Sequence, residues 1–250
     1  MADNVLMSDM SWTEVEHALK ERPIALLAVG TTEAHGPHLP IATDTVIAME
    51  MARRAAVRLK QRGLHALIAP PVTFSVSQLG SDFPGTVSLS PETAAALVRD
   101  VCTALAKKFR AVALVNANQE PANLEALKKG AEEARKAGAG VCFTDLTKKR
   151  WCDRLGPAFN AGDHAGSFET SLMMACARAQ VREKERISLP PMDPLGPALK
   201  KGVTSFGEAG GEDAYFGDPT AASAEDGEAL FETLADILAL SIMEYLGSKA

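Results

Sequence analysis

The sequence predicts an α/β fold, a single-domain α/β/α sandwich built around a mostly parallel sheet. Two observations carry this prediction. Short apolar runs of strand length alternate along the chain with longer amphipathic segments of helical period, which is the pattern of repeated strand–helix units. The chain has 250 residues, a length that fits one large domain over 1–250 with a sizeable buried core.

The first part of the chain is expected to form a helix, a strand and a second helix. Ser11 and Glu14 have the spacing of a capping box, so a first helix opens here. The continuous apolar run 24–29 is typical of a strand buried on both faces. After a polar loop, Asp44 opens a second helix that ends at Gly63.

The rest of the chain continues the alternation. Pro70-Pro71 closes the second strand, and Pro91 marks the first position of a helix. The further predicted strands are 66–69, 111–116 and 141–144. The further predicted helices are 90–109, 121–137, one that follows Ser167, and 225–246. The Gly-rich stretch 196–217 is an irregular connection that fits a lid, an oligomer contact or a floppy loop.

Composition excludes several classes of protein. The net charge of -6 argues against a nucleic-acid surface, which needs clustered Lys and Arg. No apolar stretch approaches the roughly 20 residues of a membrane span. The first residues lack the basic and apolar segments of a secretory signal, which predicts a cytoplasmic protein. The four cysteines stand far apart, without a Cys-x-x-Cys pair, and are expected to be reduced.

The loop after the first strand holds a candidate metal site. Glu33 and His35 are two residues apart, so their side chains point the same way in an extended loop, and Asp44 stands where the next helix begins. Such mixed ligation suits Zn, Mn or Fe(II). The alternative is structural: Asp44 as an ordinary helix cap and His35 as a hydrogen-bonded loop residue. His38 is expected only to hydrogen-bond the loop.

Two further polar clusters follow later strands. Asn118 and Glu120 precede the helix at Pro121, where their oxygens suit either metal coordination or helix capping. His164 and Glu169 flank small residues before another helix, and they suit either proton transfer beside a metal or plain capping. The spacing alone favours capping for Asn118 and Glu120, and it does not separate the alternatives for His164 and Glu169.

Four segments together resemble the creatininase (creatinine amidohydrolase) family. They are 30–45 (GTTEAHGPHL…TDT), 83–89 (FPGTVSL), 164–171 (HAGSFETS) and 217–220 (GDPT). The resemblance implies a site for one or two divalent ions in which Glu33, His35, Asp44 and Glu120 occupy ligand positions, with Asp44 bridging. It also implies that His164 is catalytic with Glu169 beside it, that Trp151 walls the substrate pocket, and that the protein is a homo-oligomer, commonly a hexamer.

Two departures from the family pattern stand in the site. Asn118 occupies the position of a metal-binding His, so the first ion position retains only Glu33 and Asp44 as strong ligands, with the Asn118 oxygen as a weak one. The segment in which Ser77 and Asp82 are expected to contact substrate lacks the Glu-His pair often present there.

The expected activity is hydrolysis of a non-peptide C–N bond in a cyclic amide, lactam or formamide. Metal-activated water would attack the carbonyl carbon, and His164 would protonate the leaving nitrogen. Family substrates include creatinine, formylated pyrimidines, keto-inositol rings and short peptides. The alternatives are a mononuclear hydrolase of a different small molecule and a non-catalytic ligand-binding protein that kept the fold, because the usual His is Asn118.

Overall fold

The computed structural model describes residues 5–247 and contains one parallel sheet. Its strands are β1 Ile24–Val29, β2 Ala66–Val72, β3 Val112–Asn116 and β4 Val141–Phe143. They lie in the order β2-β1-β3-β4, and every pair is parallel. The apolar runs that predicted strands all form them, and the predicted α/β fold is confirmed.

Helices connect the strands and cover the sheet. The α-helices are α1 Trp12–Ala18, α2 Thr43–Gln61, α3 Pro91–Ala106, α4 Pro121–Lys136, α5 Lys149–Leu155, α6 Pro157–Ala161, α7 Ser167–Cys176, α8 Glu183–Arg186, α9 Leu195–Leu199 and α10 Ala224–Gly247. Short 3-10 helices lie at Met7–Asp9, Leu19–Glu21, Arg178–Gln180 and Pro219–Ala221. The expected capping box of Ser11 and Glu14 opens α1.

Side chains alternate between two cores, one on each face of the sheet. Leu26 and Val115 pack into the core beneath α2, α7 and α10, whereas Leu27 and Leu114 pack into the core beneath α3 and α4. This alternation follows from the two-residue period of a strand. The layers are therefore helix, sheet and helix, as an α/β/α sandwich requires.

Strand β2 is longer than the sequence predicts. The expected end at Ala69 is wrong, because the strand continues through Pro70 and Pro71 to Val72. A proline lacks the N–H that a ladder needs, but β2 lies at the edge of the sheet, and its register against β1 shifts over this stretch. Edge strands and irregular register are the positions where a sheet accepts proline.

The Gly-rich segment 196–217 packs on the side of the molecule where the β-strands have their carboxyl ends. It contains most of α9 and a series of turns. Phe206 and Phe216 are almost fully buried, their ring centroids lie 5.6 Å apart, and Leu79 packs with them. The segment is a packed wall rather than a floppy loop.

The sheet topology brings the predicted polar clusters to one place. β1 and β3 are neighbours, so the loops that follow them meet at the same edge of the sheet. The start of α7 reaches this edge because α7 packs against α2 and α10. No helix in the described range 5–247 is both long and apolar enough to span a membrane.

Candidate active site

The loop after β1 buries its acidic and imidazole side chains. Glu33 and His35 are each 1% exposed, and Asp44, the second residue of α2, is fully buried. A carboxylate in the first turn of a helix is favoured by the helix dipole. His38 points elsewhere, with its Nε2 atom 2.9 Å from Thr170 Oγ1, in line with the expectation that it hydrogen-bonds locally.

One side of Asp44 leaves two buried atoms without hydrogen bonds. His35 Nδ1 lies 3.0 Å from the carbonyl oxygen of Glu33 and donates its proton there, which leaves Nε2 as the ring atom that faces Asp44 and Glu169. Nε2 lies 3.4 Å from Asp44 Oδ1 and 3.7 Å from Glu169 Oε2. Neither Nε2 nor Oδ1 has a hydrogen-bond partner. We call this side, defined by His35, Asp44 Oδ1 and Glu169, the open half.

The other side of Asp44 is fully hydrogen-bonded. The Thr31 hydroxyl lies 3.1 Å from Glu33 Oε2 and also hydrogen-bonds Asp44 Oδ2. The amide nitrogen of Asn118 donates to Glu33 Oε2 at 2.8 Å and to Asp44 Oδ2 at 3.1 Å. We call this side, defined by Thr31, Glu33, Asp44 Oδ2 and Asn118, the closed half.

His164 stands over the open half. Its ring centroid lies 4.5 Å from that of His35, and its Nδ1 atom lies 4.0 Å from Glu169 Oε2. Nε2 lies 3.0 Å from the carbonyl oxygen of Ala34 and donates to it, so Nδ1 carries the lone pair. One ligand atom each of His35, His164 and Glu169 lies within 4.8 Å of the others.

The charges of the site favour the binding of a cation. Burial raises the pKa of Glu33 to about 8 and that of Glu169 to about 7. Burial lowers the pKa of His35, but the Asp44 and Glu169 carboxylates outweigh it and bring that pKa to about 10. His35 therefore holds a proton between these carboxylates when no metal is bound, and a bound ion would displace that proton from Nε2. Burial lowers the pKa of His164 to about 3, so this imidazole is neutral. A site with this surplus of buried carboxylates is stabilised by a bound positive ion.

The open half fits a divalent metal ion. It offers an imidazole nitrogen and carboxylate oxygens, the donor set of Zn, Mn and Fe(II) sites. Two donor atoms that each lie about 2.1 Å from one ion in tetrahedral geometry are about 3.4 Å apart, and His35 Nε2 and Asp44 Oδ1 are separated by 3.4 Å. The residues that would hold the ion are His35, Asp44 and Glu169, with His164 beside them.

Glu120 and Glu169 differ in how they face the open half. The Glu120 carboxylate accepts the backbone N–H of Gln78 at 3.0 Å and that of Leu79 at 3.3 Å. Glu169 lies beside His164, as expected, and it also lies 3.7 Å from His35 Nε2, while the Ala165 N–H donates to it at 2.7 Å. Glu169 thus joins the candidate ligands that the sequence predicted, since it is the carboxylate close to both imidazoles.

A cavity of about 580 Å³, measured with its open mouth, leads to the site. Its acidic and polar lining consists of Glu33, Asn118, Gln119, Glu120, Asp163, His164 and Glu169. Its remaining lining consists of Leu79, Ala117, Phe159, Gly162, Phe168, Leu195, Leu199 and Phe206. The site thus combines a polar floor with an apolar wall, as small-molecule sites commonly do.

None of the three expected substrate contacts lines this cavity. Trp151 lies in α5, buried in the core under α10, with Arg150 stacked on its ring at 4.0 Å. Ser77 is fully buried, and its amide is bonded to Ser88. Asp82 is exposed on the surface. Aromatic walls come from other residues instead.

The sequence did not indicate these wall residues. Phe206 contacts the His164 ring with centroids 4.5 Å apart, yet it lies in a Gly-rich stretch that was predicted to be irregular. Phe159 and Phe168 pair at 5.1 Å around the start of α7. Thr31 was also missed, although its place between Gly30 and Glu33 is a usable signal, since a hydroxyl there can reach the same carboxylates.

Comparison with known proteins places the chain in a family. The sequence model of the family described as creatininase, creatinine amidohydrolase, matches residues 8–242. The chain is 32% identical over 223 residues to a mycofactocin precursor peptide peptidase of Mycobacterium tuberculosis (strain ATCC 25618 / H37Rv), covering 86% of this chain and 82% of that protein. It is 27% identical over 271 residues to the creatinine amidohydrolase of Pseudomonas putida, covering 98% of both.

Solved creatininase structures share the fold. One described as "Creatininase Mn" superposes with a TM-score of 0.73 at 25% identity, covering 97% of this chain and 98% of that chain. A variant described as "Zn-Zn type" superposes with a TM-score of 0.70 at 24% identity and the same coverage. The chain therefore belongs to the creatininase family of metal-dependent amidohydrolases.

Proposed function

We propose that this protein hydrolyses the C–N bond of an amide with the help of a divalent ion bound in the open half. The observation that carries the proposal is the pair of buried, unpartnered atoms His35 Nε2 and Asp44 Oδ1, 3.4 Å apart, behind the cavity-lining residues His164 and Glu169. Buried polar atoms are normally hydrogen-bonded. A pair of exceptions next to a cavity indicates a ligand that satisfies both.

The side chains around the open half suit amide hydrolysis. A bound divalent ion supplies Lewis acidity, which polarises a carbonyl and makes water nucleophilic at neutral pH. His164 is neutral, and its free Nδ1 can take a proton from the attacking water and pass it to the leaving nitrogen. Burial raises the pKa of Glu120, which makes this wall residue a second candidate for proton transfer.

The cavity favours a substrate without negative charge near the scissile bond. Its lining includes the carboxyl groups of Glu33, Glu120, Asp163 and Glu169 but no Lys or Arg among the described residues. A carboxylate on the substrate would meet these groups without a basic side chain to compensate their charge. A neutral amide or a cationic group fits, and the apolar wall at Phe206 accepts a hydrocarbon portion.

The proposed substrate class is wider than the sequence-based prediction, which was limited to non-peptide C–N bonds. Relatives at 32% identity carry the name of a peptide peptidase, whereas a relative at 27% identity carries the name of creatinine amidohydrolase. Cyclic amides and short peptides are both candidates, and the identity figures favour the peptide. The non-catalytic alternative has no support from the site, since His35, Asp44, His164 and Glu169 converge.

A substrate panel tests the proposal. Protein freed of metal by chelation would be reloaded with Mn²⁺, Zn²⁺ or Fe²⁺ and incubated with cyclic amides, formamides and short peptides. Mass spectrometry would detect a gain of one water or the release of a fragment. We expect metal-dependent hydrolysis of at least one class. Absence of turnover across all metals and classes would contradict the proposal and favour the non-catalytic alternative.

Assembly and location stay predictions. The expected homo-oligomer, commonly a hexamer in the family, is tested by size-exclusion chromatography with light scattering. The expected cytoplasmic location is tested by fractionation of cells.

A further inference from the structure

The closed half is a small cage of oxygen atoms with an amide nitrogen at its centre. Asn118 Nδ2 lies 2.8 Å from Glu33 Oε2, 3.1 Å from Asp44 Oδ2 and 3.4 Å from Thr31 Oγ1. Two carboxylates that converge on one buried point repel each other unless something positive lies between them. Here the two N–H bonds of a neutral amide fill that position.

The orientation of the amide is fixed by its other end. Asn118 Oδ1 accepts the backbone N–H of Glu120 at 2.9 Å. A flipped amide would lose this bond and would direct its oxygen at the carboxyl oxygens of Glu33 and Asp44, to which the Thr31 hydroxyl already donates. The hydrogen-bond network therefore determines that the nitrogen faces the cage.

The backbone of Asn118 is held as firmly as its side chain. Its carbonyl oxygen accepts hydrogen bonds from the side-chain amides of Asn116 and Asn123. Asn123 is fully buried, and its own oxygen accepts from Ser75. With the backbone held in this way, rotation of the Asn118 side chain out of the cage would break its buried hydrogen bonds to Glu33, Asp44 and Glu120, each costly to leave unmade.

A metal ion cannot share the cage with this amide. An ion bound to Glu33 Oε2 and Asp44 Oδ2 would lie about 2.0–2.2 Å from each oxygen, in the space between them that the amide group of Asn118 closes. The open half differs, because neither His35 Nε2 nor Asp44 Oδ1 has a hydrogen-bond partner there.

We infer that the Asn118 carboxamide takes the place of one of two metal ions, so that this chain binds a single divalent ion in the open half. The inference rests on the proposed metal-dependent function, and it narrows that function to a mononuclear site. Asp44 then bridges an ion on one side and an internal hydrogen-bond donor on the other.

Metal content tests this inference. Wild type, Asn118→His and Asn118→Asp would be purified without chelator, loaded with Mn²⁺, desalted and measured by elemental mass spectrometry, with folding checked by circular dichroism. Each Asn118 variant replaces the donor by a metal ligand. Asn160→His is the matched control, because Asn160 is exposed and outside the ligand cluster. If Asn118→His does not fold, Asn118→Asp decides.

We expect one ion per chain in wild type and in the Asn160 control, and two in a folded Asn118 variant, together with a larger rise of its melting temperature on addition of Mn²⁺. Two ions in wild type would overturn the inference while leaving the proposed function intact. A folded Asn118 variant that still holds one ion would also overturn it. No ion in wild type would overturn both the inference and the proposed function.

Discussion

The two halves that meet at Asp44 differ in how their polar atoms are satisfied. In the closed half, Asp44 Oδ2 has hydrogen bonds from Thr31 and Asn118. In the open half, Asp44 Oδ1 faces His35 Nε2 at 3.4 Å, and neither atom has a partner. Asp44 and His35 are buried as deeply as Thr31 and Glu33, so burial does not explain the difference.

The difference shows which half is built to bind. A buried polar atom without a partner costs about 1–3 kcal/mol. The fold avoids that cost in the closed half with an internal donor and accepts it in the open half, where one cation would satisfy His35, Asp44 and Glu169 together. Atoms that already have hydrogen-bond partners are not available to a metal ion, whereas the atoms without partners are.

Removal of the imidazole in the open half should have the largest effect. His35→Ala is expected to lower metal affinity by more than about 100-fold and to abolish turnover, since even residues that only orient a ligand cost about 10–100-fold. Isothermal titration with Mn²⁺ and the substrate panel measure both. The control is His65→Ala, because His65 is exposed and far from the cluster. Unchanged metal affinity in the His35→Ala variant would contradict the assignment of the open half as the metal site.

His164 should affect turnover but not the metal. His164→Ala is expected to lower kcat/KM by about 10²–10⁴-fold, the usual contribution of proton transfer, while the ion content stays that of wild type. Kinetics and elemental analysis on the same preparation separate the two effects. Loss of the ion together with activity would reassign His164 as a ligand.

The different contacts of Glu120 and Glu169 predict a difference in their effect on metal affinity. Glu169→Gln should weaken Mn²⁺ binding by about 10-fold or more, because it replaces a carboxylate ligand of the open half by a neutral amide. Glu120→Gln should leave the affinity close to that of wild type, since Glu120 bonds the amides of Gln78 and Leu79 instead. The reverse order of affinities would restore the ligand set implied by the family resemblance.

The smallest expected effects concern the cavity wall. Phe206→Leu and Trp151→Phe should each lower stability by roughly 1 kcal/mol, which corresponds to about 2–4 °C in Tm. Only Phe206→Leu should raise KM, because Phe206 lines the cavity and Trp151 does not. Calorimetry and steady-state kinetics measure the two quantities. A KM raised only by Trp151→Phe would contradict this and would indicate that Trp151 contacts the substrate.

Much of the fold could be predicted because its signals are local. The apolar run that forms β1 and the glycine that follows α2, Gly63, can each be recognised from a few consecutive residues. The strand limit at Pro70 failed because edge position and register shift depend on the neighbouring strand. The wall formed by 196–217 depends on packing of Phe206 against residues remote in sequence, which no local period reports.

The part of the candidate site that lies in one loop could be predicted from the sequence. Glu33, His35 and Asp44 follow a single strand, and their convergence is visible in their spacing. Glu169 faces His35 only because α7 packs beside α2. The sequence showed that Asn118 replaces an imidazole, but which end of its amide faces Glu33 depends on a hydrogen bond from Glu120.

The most direct test of the account is the position of the metal in crystals of the Mn²⁺-loaded protein, located by anomalous diffraction. We predict one anomalous peak about 2.0–2.2 Å from His35 Nε2 and Asp44 Oδ1, with Glu169 beside it and none between Glu33 and Asn118. A peak between Glu33 and Asp44 Oδ2, with Asn118 displaced, would contradict the account.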